Sequence, residues 1–336
     1  MTRIMHKTAY QRPREEPGSF RQTDYDLIII GAGAAGLSAG IFAARRGLTT
    51  AIIGFDLGGQ TASTAQIENY PGCGTIEGPD LISRFYSEAV RFGCIFLTDR
   101  IEKIERRDDA YLLSGTSQQY TARAVIVATG KTPRRLGFDN EDIFLGHGIV
   151  YGGAFDPLEY VNKRVVIVGG GNSAMGAALR LAPHASHITV VHRGDSFAGE
   201  KILLERVQAL STLECQFRSR VSALQWPDHL ESVEICVGGD ERQVLPLDAI
   251  IVAIGFEARN EWVSDLVACT KDARIIIDSQ CQTNCAGIFA AGDCTDVPYQ
   301  QIVVSAGEGA KAAISAYHYI SKKQGKRTQK VDWGYV

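Results

Sequence analysis

The run Asp26-Leu-Ile-Ile-Ile30 passes directly into Gly31-Ala-Gly-Ala-Ala-Gly36, and no other feature of the chain restricts its fold as tightly. An amphipathic stretch from Leu37 to Arg46 follows, closed by Gly47 as a helix C-cap, and Thr49 to Ile53 returns to strand character. Together these segments make a βαβ unit with GxGxxG at its first turn. Gly31 permits the tight turn, Gly33 lets a pyrophosphate approach the backbone, and Gly36 lets helix and strand pack closely. Ala34 and Ala35 of this turn join the cofactor-binding candidates, and the free N–H groups and positive dipole end of the helix that follows suit phosphate. The unit therefore reads as a dinucleotide cradle.

A second unit begins at Arg164. Val165-Val-Ile-Val168 leads into Gly169-Gly-Gly-Asn-Ser-Ala174, then a helix from Met175 to Leu181 and a strand from Ile188 to Val191. Gly169, Gly171, Asn172, Ser173 and Ala174 are its candidate phosphate-side residues. Two such units imply two nucleotide ligands, the alternative being a duplication with one silent site. Ala124–Gly130 and Ala249–Gly255 each resemble the strand that closes a dinucleotide domain, adding Ile254 and Gly255 to the second site. Gly287-Ile-Phe-Ala-Ala-Gly-Asp293 is a third glycine-terminated strand, ending in an acid placed to bond a ribityl hydroxyl. A helix rich in small residues, Ile302 to Tyr319, follows, its N-terminus suited to a flavin carbonyl. The expected fold class is α/β, with two Rossmann-like three-layer domains.

Composition narrows the function classes. The length of 336 residues suggests two domains. A formal net charge of −3 leaves no electrostatic footprint for nucleic acid. No apolar run approaches the roughly 20 residues of a membrane helix. Met1 to Thr23 lacks the apolar stretch of a signal peptide, and Glu15 and Glu16 count against a transit peptide, so the expected location is cytoplasmic. Eight cysteines are too sparse for a secreted disulfide framework, and the scattered histidines, His147 among them, offer no metal site. The 35 glycines, about one residue in ten where about 7% is usual, cluster at the strand ends described above.

These motifs are joined by Gly58-Gly-Gln60 and Ile67-Glu-Asn-Tyr-Pro-Gly72, and over about residues 25 to 320 the chain resembles the flavoprotein disulfide reductases. It is most similar to the low-molecular-weight thioredoxin reductases. The resemblance implies an FAD domain built from residues 25–132 and 258–321, with a second nucleotide domain, 133–257, inserted between them. A flexible arm (1–24) and a tail (322–336) flank this frame, and a homodimer joined by FAD domains is implied. Besides the glycine cradle, the resemblance assigns to FAD Asp56, Gly59, Gln60 and Asn69 from the first segment. It adds Ala128, Thr129 and Gly130, then Gly292, Asp293, Gln300, Gln301 and Ile302.

The departures from that family carry the functional reading. Its redox Cys-x-x-Cys is replaced within Tyr151-Gly-Gly-Ala-Phe-Asp156, where Gly152 and Phe155 stand at the cysteine positions, so no dithiol couple can exist there. The His-Arg-Arg cluster that reads the NADPH 2′-phosphate is here His192-Arg193-Gly194, and Ala198 replaces a further arginine. Losing two charge-assisted contacts weakens NADPH about a hundredfold or more. No acid at His192 supports NAD instead. Gly176 and Ala177 remove volume from the following helix, which reads either as a roomier pocket or as drift, and Gln300 takes the place of a usual arginine.

The remaining thiol candidates are Cys73, Cys281, Cys285 and Cys294, each with small-hydrophobe packing as the alternative. Trp333 and Tyr335 lie in an aromatic tail like that of ferredoxin–NADP reductases, where such residues stack on the flavin. The pattern of losses resembles the NADPH-independent branch, and within it the diflavin-linked disulfide oxidoreductases, in which a second FAD explains the retained Gly169–Ala174 cradle. On that reading the enzyme exchanges electrons with a thiol/disulfide or a protein carrier. The alternatives are a ferredoxin–NAD(P) reductase of the thioredoxin reductase type and a flavin redox sensor without steady turnover.

Overall fold

The computed structural model describes residues 24–139, 141–153, 155–225 and 230–326. The arm up to residue 23 and the tail aromatics Trp333 and Tyr335 lie outside the described residues. The chain opens with β1 (Asp24–Ala32), α1 (Ala34–Ala44) and β2 (Thr50–Leu57), the βαβ unit read from the glycines. The helix begins at Ala34, ahead of Leu37, because it is buried nearly all round and has no polar face to mark its start. The short α2 (Gly59–Ala62), α3 (Gly78–Arg91) and β3 (Ile95–Leu97) follow. An antiparallel ribbon of β4 (Ile101–Arg107) and β5 (Ala110–Gly115) then runs into β6 (Gln119–Val127).

The short strand β7 (Thr132–Pro133) leads into a second unit. There β8 (Ile149–Tyr151), β9 (Arg164–Val168), α4 (Asn172–Leu181), β10 (His187–Val191), α5 (Lys201–Gln208) and β11 (Leu213–Gln216) follow in turn. A three-stranded antiparallel sheet, β12 (Ser219–Gln225), β13 (Ser232–Val237) and β14 (Glu241–Pro246), precedes β15 (Ala249–Val252). The chain returns along β16 (Phe256–Glu257), antiparallel to β7 with Phe256 opposite Pro133. The strand β17 (Ile288–Ala290) and the long helix α6 (Ile302–Lys323) complete the fold.

Two sheets result. The first has the order β3-β2-β1-β6-β5-β4, and β6 changes partner along its length, pairing antiparallel with β5 and then parallel with β17. The second is parallel, ordered β11-β10-β9-β15-β8. The central strands read as unbroken apolar runs because both their faces are covered. Leu27 and Ile29 of β1 face a core shared with α1 and α6, while Ile28 and Ile30 face the β4–β5 ribbon. In the second unit Val165 and Ile167 pack with α4, and Val166 and Val168 pack with the three-stranded sheet. Each unit is thus three-layered, the α/β class expected from the sequence. Among the described residues no helix is long and apolar enough to cross a membrane.

The ends of β1, β17 and the two long helices meet without room to spare. A Cβ on Gly309 of α6 would collide with the Ala35 carbonyl, and Ser38 Oγ donates to Ala306 O at 2.7 Å. Glu308, 6% exposed, lies at the same junction and accepts the Gly292 N–H at 3.1 Å. Burial pushes its carboxyl above the usual glutamate range, against the opposing pull of the Gly292 N–H and Lys311.

Two expectations follow. Gly309→Ala overpacks the helix crossing at a cost of about 1–3 kcal/mol, whereas Gly307→Ala, whose Cβ meets nothing within 4 Å, stabilises the helix. Thermal melts of the two variants should move in opposite directions. Because the fold favours protonated Glu308, its stabilising share is whole below the ordinary glutamate value and is lost as pH rises through the raised value. The melting temperature of Glu308→Gln relative to wild type should therefore climb between pH 4 and pH 8; a constant or falling gap contradicts the assignment.

Candidate functional site

The first cradle is built by backbone crowding. Gly31 holds φ +111°, and a Cβ there would collide with the Ala128 carbonyl, while one on Gly36 would collide with Gly31 O. At Gly33 the nearest atom to a Cβ would be Gly58 O at 3.9 Å, so the middle glycine faces open space. Gly33 is also the N-cap of α1 and offers no side-chain cap, nor is there an acid in the first turn. The N–H groups beginning at Ala34 and Ala35 are left for an anion. This is the division of labour a bound pyrophosphate requires, and the residues fit an FAD.

Further FAD candidates come to the same place. Ala128 N–H donates to Ile30 O at 2.7 Å, fixing the Ala128-Thr129-Gly130 turn beside β1. Gln60 Nε2 donates to Lys131 O at 3.0 Å, joining α2 to that turn. Asn69 Nδ2 donates to Gln301 Oε1 at 3.0 Å, tying the Asn69–Gly72 loop to the N-cap of α6. That helix also starts with neither a side-chain cap nor an acid. Ile302 packs on Ile67, Ile76 and Leu81 beneath the loop, Gln300 is exposed, and Asp56 lies exposed near the end of β2.

Asp293 follows Gly292 after β17, and burial raises its pKa against the Ser305 hydroxyl, which donates to Oδ1 at 3.0 Å, and the attraction of Lys131. Its carboxylate is thereby held for a hydroxyl donor. The sequence reading missed Asn260, which is fully buried. It accepts Thr129 Oγ1 at 3.2 Å and donates to Ala273 O at 2.7 Å and Cys294 O at 3.0 Å. Asn260 carries no motif, and its partners become visible only in three dimensions.

The second cradle repeats the backbone and changes the side chains. Gly169 has φ +137° and abuts the Ala253 carbonyl, Gly171 is the uncapped N-cap of α4, and Ala174 is buried beneath. Asn172 and Glu200 pair reciprocally: Asn172 Nδ2 donates to Glu200 Oε1 at 3.0 Å, and Glu200 N donates to Asn172 Oδ1 at 2.8 Å. Ser173 is exposed beside them, and Gly255 O accepts Arg134 N at 3.0 Å. Ile254 packs against the core beneath β15.

At the end of β10 the surroundings are aromatic. The His192 ring lies over Gly170, and a Cβ on Gly194 would come 2.7 Å from His192 Nε2. The ring meets Phe217 edge-on at 6.4 Å, and Phe217 meets Phe197 at 5.3 Å. Burial and the adjacent Arg193 lower the His192 pKa, so the ring is neutral near pH 7. Arg193 is exposed and is the one cation left from the family's phosphate-reading set.

The segment that replaces the redox disulfide is clamped. Arg180 Nη1 donates to Gly153 O at 2.6 Å, Nη2 donates to Phe155 O, and the guanidinium lies 4.1 Å from the Phe155 ring centroid. Phe155 in turn meets Tyr160 edge-on at 5.6 Å. Burial lowers the Arg180 pKa, with Asp156 opposing. A Cβ on Gly153 would reach Ser63 O at 3.6 Å, which places the segment against the residues just after α2. Arg180 was also missed; its only sequence signal is a cation in the last turn of an otherwise apolar helix.

The four cysteine candidates are dispersed. All eight cysteines are free thiols. Cys281 and Cys294 are completely buried, in cores on opposite faces of the first sheet. Burial pushes the Cys281 thiol up to about 12 and that of Cys294 up to about 11. Such thiols pack rather than react. Cys285 is half-buried, 3.6 Å from the Tyr111 hydroxyl. Cys73 is half-buried against Ile67, Ile76 and Leu81 below the Asn69–Gly72 loop.

Comparison with known proteins agrees with this geometry. The model of the pyridine nucleotide-disulphide oxidoreductase family matches residues 25–309. The thioredoxin reductase of Rickettsia conorii is 34% identical over 304 residues, covering 88% of this chain and 98% of its own. That of Mycoplasma genitalium is 33% identical over 297 residues, covering 87% and 94%. The crystal structure of Lactococcus lactis thioredoxin reductase in its FR conformation superposes with a TM-score of 0.85 at 30% identity, covering 89% of this chain and 99% of that one. The chain belongs to the pyridine nucleotide-disulphide oxidoreductase family and is an oxidoreductase of the thioredoxin reductase type.

Proposed function

We propose that this chain is an FAD-dependent oxidoreductase that works without the internal dithiol relay and without NADPH as its routine donor. Its flavin exchanges electrons with an external thiol/disulfide or protein carrier. The observation that carries this reading is the Arg180 clamp on Gly153 and Phe155, which holds the stretch where Gly152 and Phe155 stand in place of a relay's two thiols. FAD held in the first cradle supplies a two-electron redox centre. The chain's own part is to hold the pyrophosphate on the α1 N-terminus, bind a ribityl hydroxyl through Asp293 and close the Asn69–Gln301 loop.

The second site supports a dinucleotide that lacks a 2′-phosphate, and we infer a second FAD. The Gly169–Gly171 turn keeps its phosphate geometry. Neutral His192, the missing side chain of Gly194 and the Phe197–Phe217 wall leave Arg193 alone to meet a phosphate dianion. Of the thiol candidates, Cys73 retains both partial exposure and proximity to the Asn69–Gly72 loop. A ferredoxin–NAD(P) reductase draws its support from Trp333 and Tyr335, outside the described residues, and the missing arginines count against it.

Flavin counting and anaerobic titration test the proposal. Two FAD per chain are expected, with bleaching by dithiol but not by micromolar NADPH. Rapid bleaching by NADPH overturns the reading, one FAD per chain removes its second-site part, and bleaching by reduced ferredoxin with NADP reduction favours the reductase. Ala198→Arg, which restores one phosphate-facing cation, should tighten NADPH binding about tenfold in equilibrium titration. Cys73→Ser should slow dithiol-driven bleaching about tenfold, and Cys281→Ser and Cys294→Ser should leave the rate at the wild-type value.

A further inference from the structure

We propose that the cleft beside the β7–β16 crossing is an anion site for a small molecule carrying a di- or triphosphate. The cleft measures about 690 Å³, within the range of roughly 300–1,000 Å³ for small-molecule sites. Its lining includes five cations, Lys131, Arg134, Arg259, Lys271 and Arg274, and three carboxylates, Glu257, Glu261 and Asp272. One of those carboxylates is engaged: Arg259 Nη2 meets Glu257 Oε1 at 2.9 Å. Among the described residues Lys131, Arg134, Lys271 and Arg274 make no ion pair within 4.0 Å. None of the residues of the two glycine cradles lines this cleft.

Two structural details separate this cluster from an ordinary solvated surface. Lys131 and Arg274 are half-buried where they line the cleft, whereas Arg134, Arg259 and Lys271 are exposed. Burial lowers the Lys131 pKa, and Arg274 and Arg134 lower it further against the pull of Asp293 and Asp272. The cationic wall is also preformed. Ala273 sits at φ +56°, a strained conformation for a residue with a side chain. It is held there by Thr270 N donating to Arg274 O at 2.8 Å and by the buried amide of Asn260 on Ala273 O at 2.7 Å. Since Asn260 also grips Thr129 and Cys294 O, the turn presenting Lys271 and Arg274 is braced directly on the flavin-side strand ends. A slender polyanion reaches recessed cations that a folded protein surface does not. Phosphate oxygens match the guanidinium and ammonium donors with charge-assisted hydrogen bonds.

The test uses the FAD-loaded full chain and inorganic pyrophosphate without metal, followed by isothermal calorimetry at low and moderate salt. One saturable pyrophosphate per chain is expected, weakening as salt rises. Arg274→Gln and Lys131→Gln should each weaken binding at least tenfold, and Arg274→Gln should retain wild-type FAD content. Lys271→Gln, on the exposed rim, should lose about threefold and serves should the recessed variants fail to fold. Absence of saturable binding overturns the proposal. So does binding unchanged in these variants, or binding lost instead in Arg193→Gln, which would place the anion in the second nucleotide cradle. ADP replaces pyrophosphate in a parallel titration: tighter binding of ADP identifies a nucleotide as the source of the phosphate, and equal binding identifies the phosphate chain alone.

Discussion

The crossing of α6 over the start of α1 is the constraint on which the rest of the structure depends. Helix axes usually lie 8–10 Å apart, and here the separation is set by a residue with no side chain: a Cβ on Gly309 would strike the Ala35 carbonyl oxygen. Close approach puts three features at one point: the uncapped α1 N-terminus, the Gly292–Asp293 turn and the buried carboxyl of Glu308. A dinucleotide site needs that convergence, because the N–H groups that meet phosphate and the carboxylate that meets sugar come from opposite ends of the chain. The position of Asp293 is therefore fixed against the start of a helix more than two hundred residues away in sequence.

The second unit shows what happens when the backbone of such a site is kept and its side chains are exchanged. The Gly169 turn and the uncapped α4 repeat the first cradle. Recognition of a 2′-phosphate depends on charge, and Arg193 is the exposed cation that remains: burial and Arg193 hold His192 neutral, and its ring occupies the space beside Gly170 and Gly194. Geometry and specificity are thus carried by different atoms. A pyrophosphate is held by N–H groups that every residue possesses, whereas discrimination among dinucleotides resides in a few side chains.

The same distinction explains what was legible in the sequence. Both βαβ units could be read because glycine at three fixed spacings has few other uses, and the strands around them are continuous apolar runs. The β4–β5 ribbon was not, since β4 buries only Ile101 and Ile104 among charged neighbours and its pairing depends on β6. Thiol chemistry was legible only as a set of candidates: burial, which divides Cys281 and Cys294 from Cys73, is a property of the packed core. Asn260 and Glu308 left no mark, and Arg180 only a lone cation in the last turn of α4, because each acts through partners away from it in sequence.

Arg180 gives the clearest case of a segment held by a single side chain. A guanidinium drawn partly out of water pays a desolvation cost, seen in its lowered pKa. Among the described residues nothing at ion-pair distance meets it; two neutral carbonyls and the face of Phe155 do. Each of these contacts lies in the segment where the sequence resemblance puts a redox couple, so they fix Gly153 and Phe155 in place. A dithiol relay has to accept electrons and then present them to a substrate, and a segment held by two hydrogen bonds and a cation–π contact is suited to neither task. What the clamp does provide is a rigid wall against the residues that follow α2, next to Gln60 and the flavin-side turn. On the proposed reading, electron exchange on this scaffold is governed by which partner can reach that wall rather than by the swing of a disulfide.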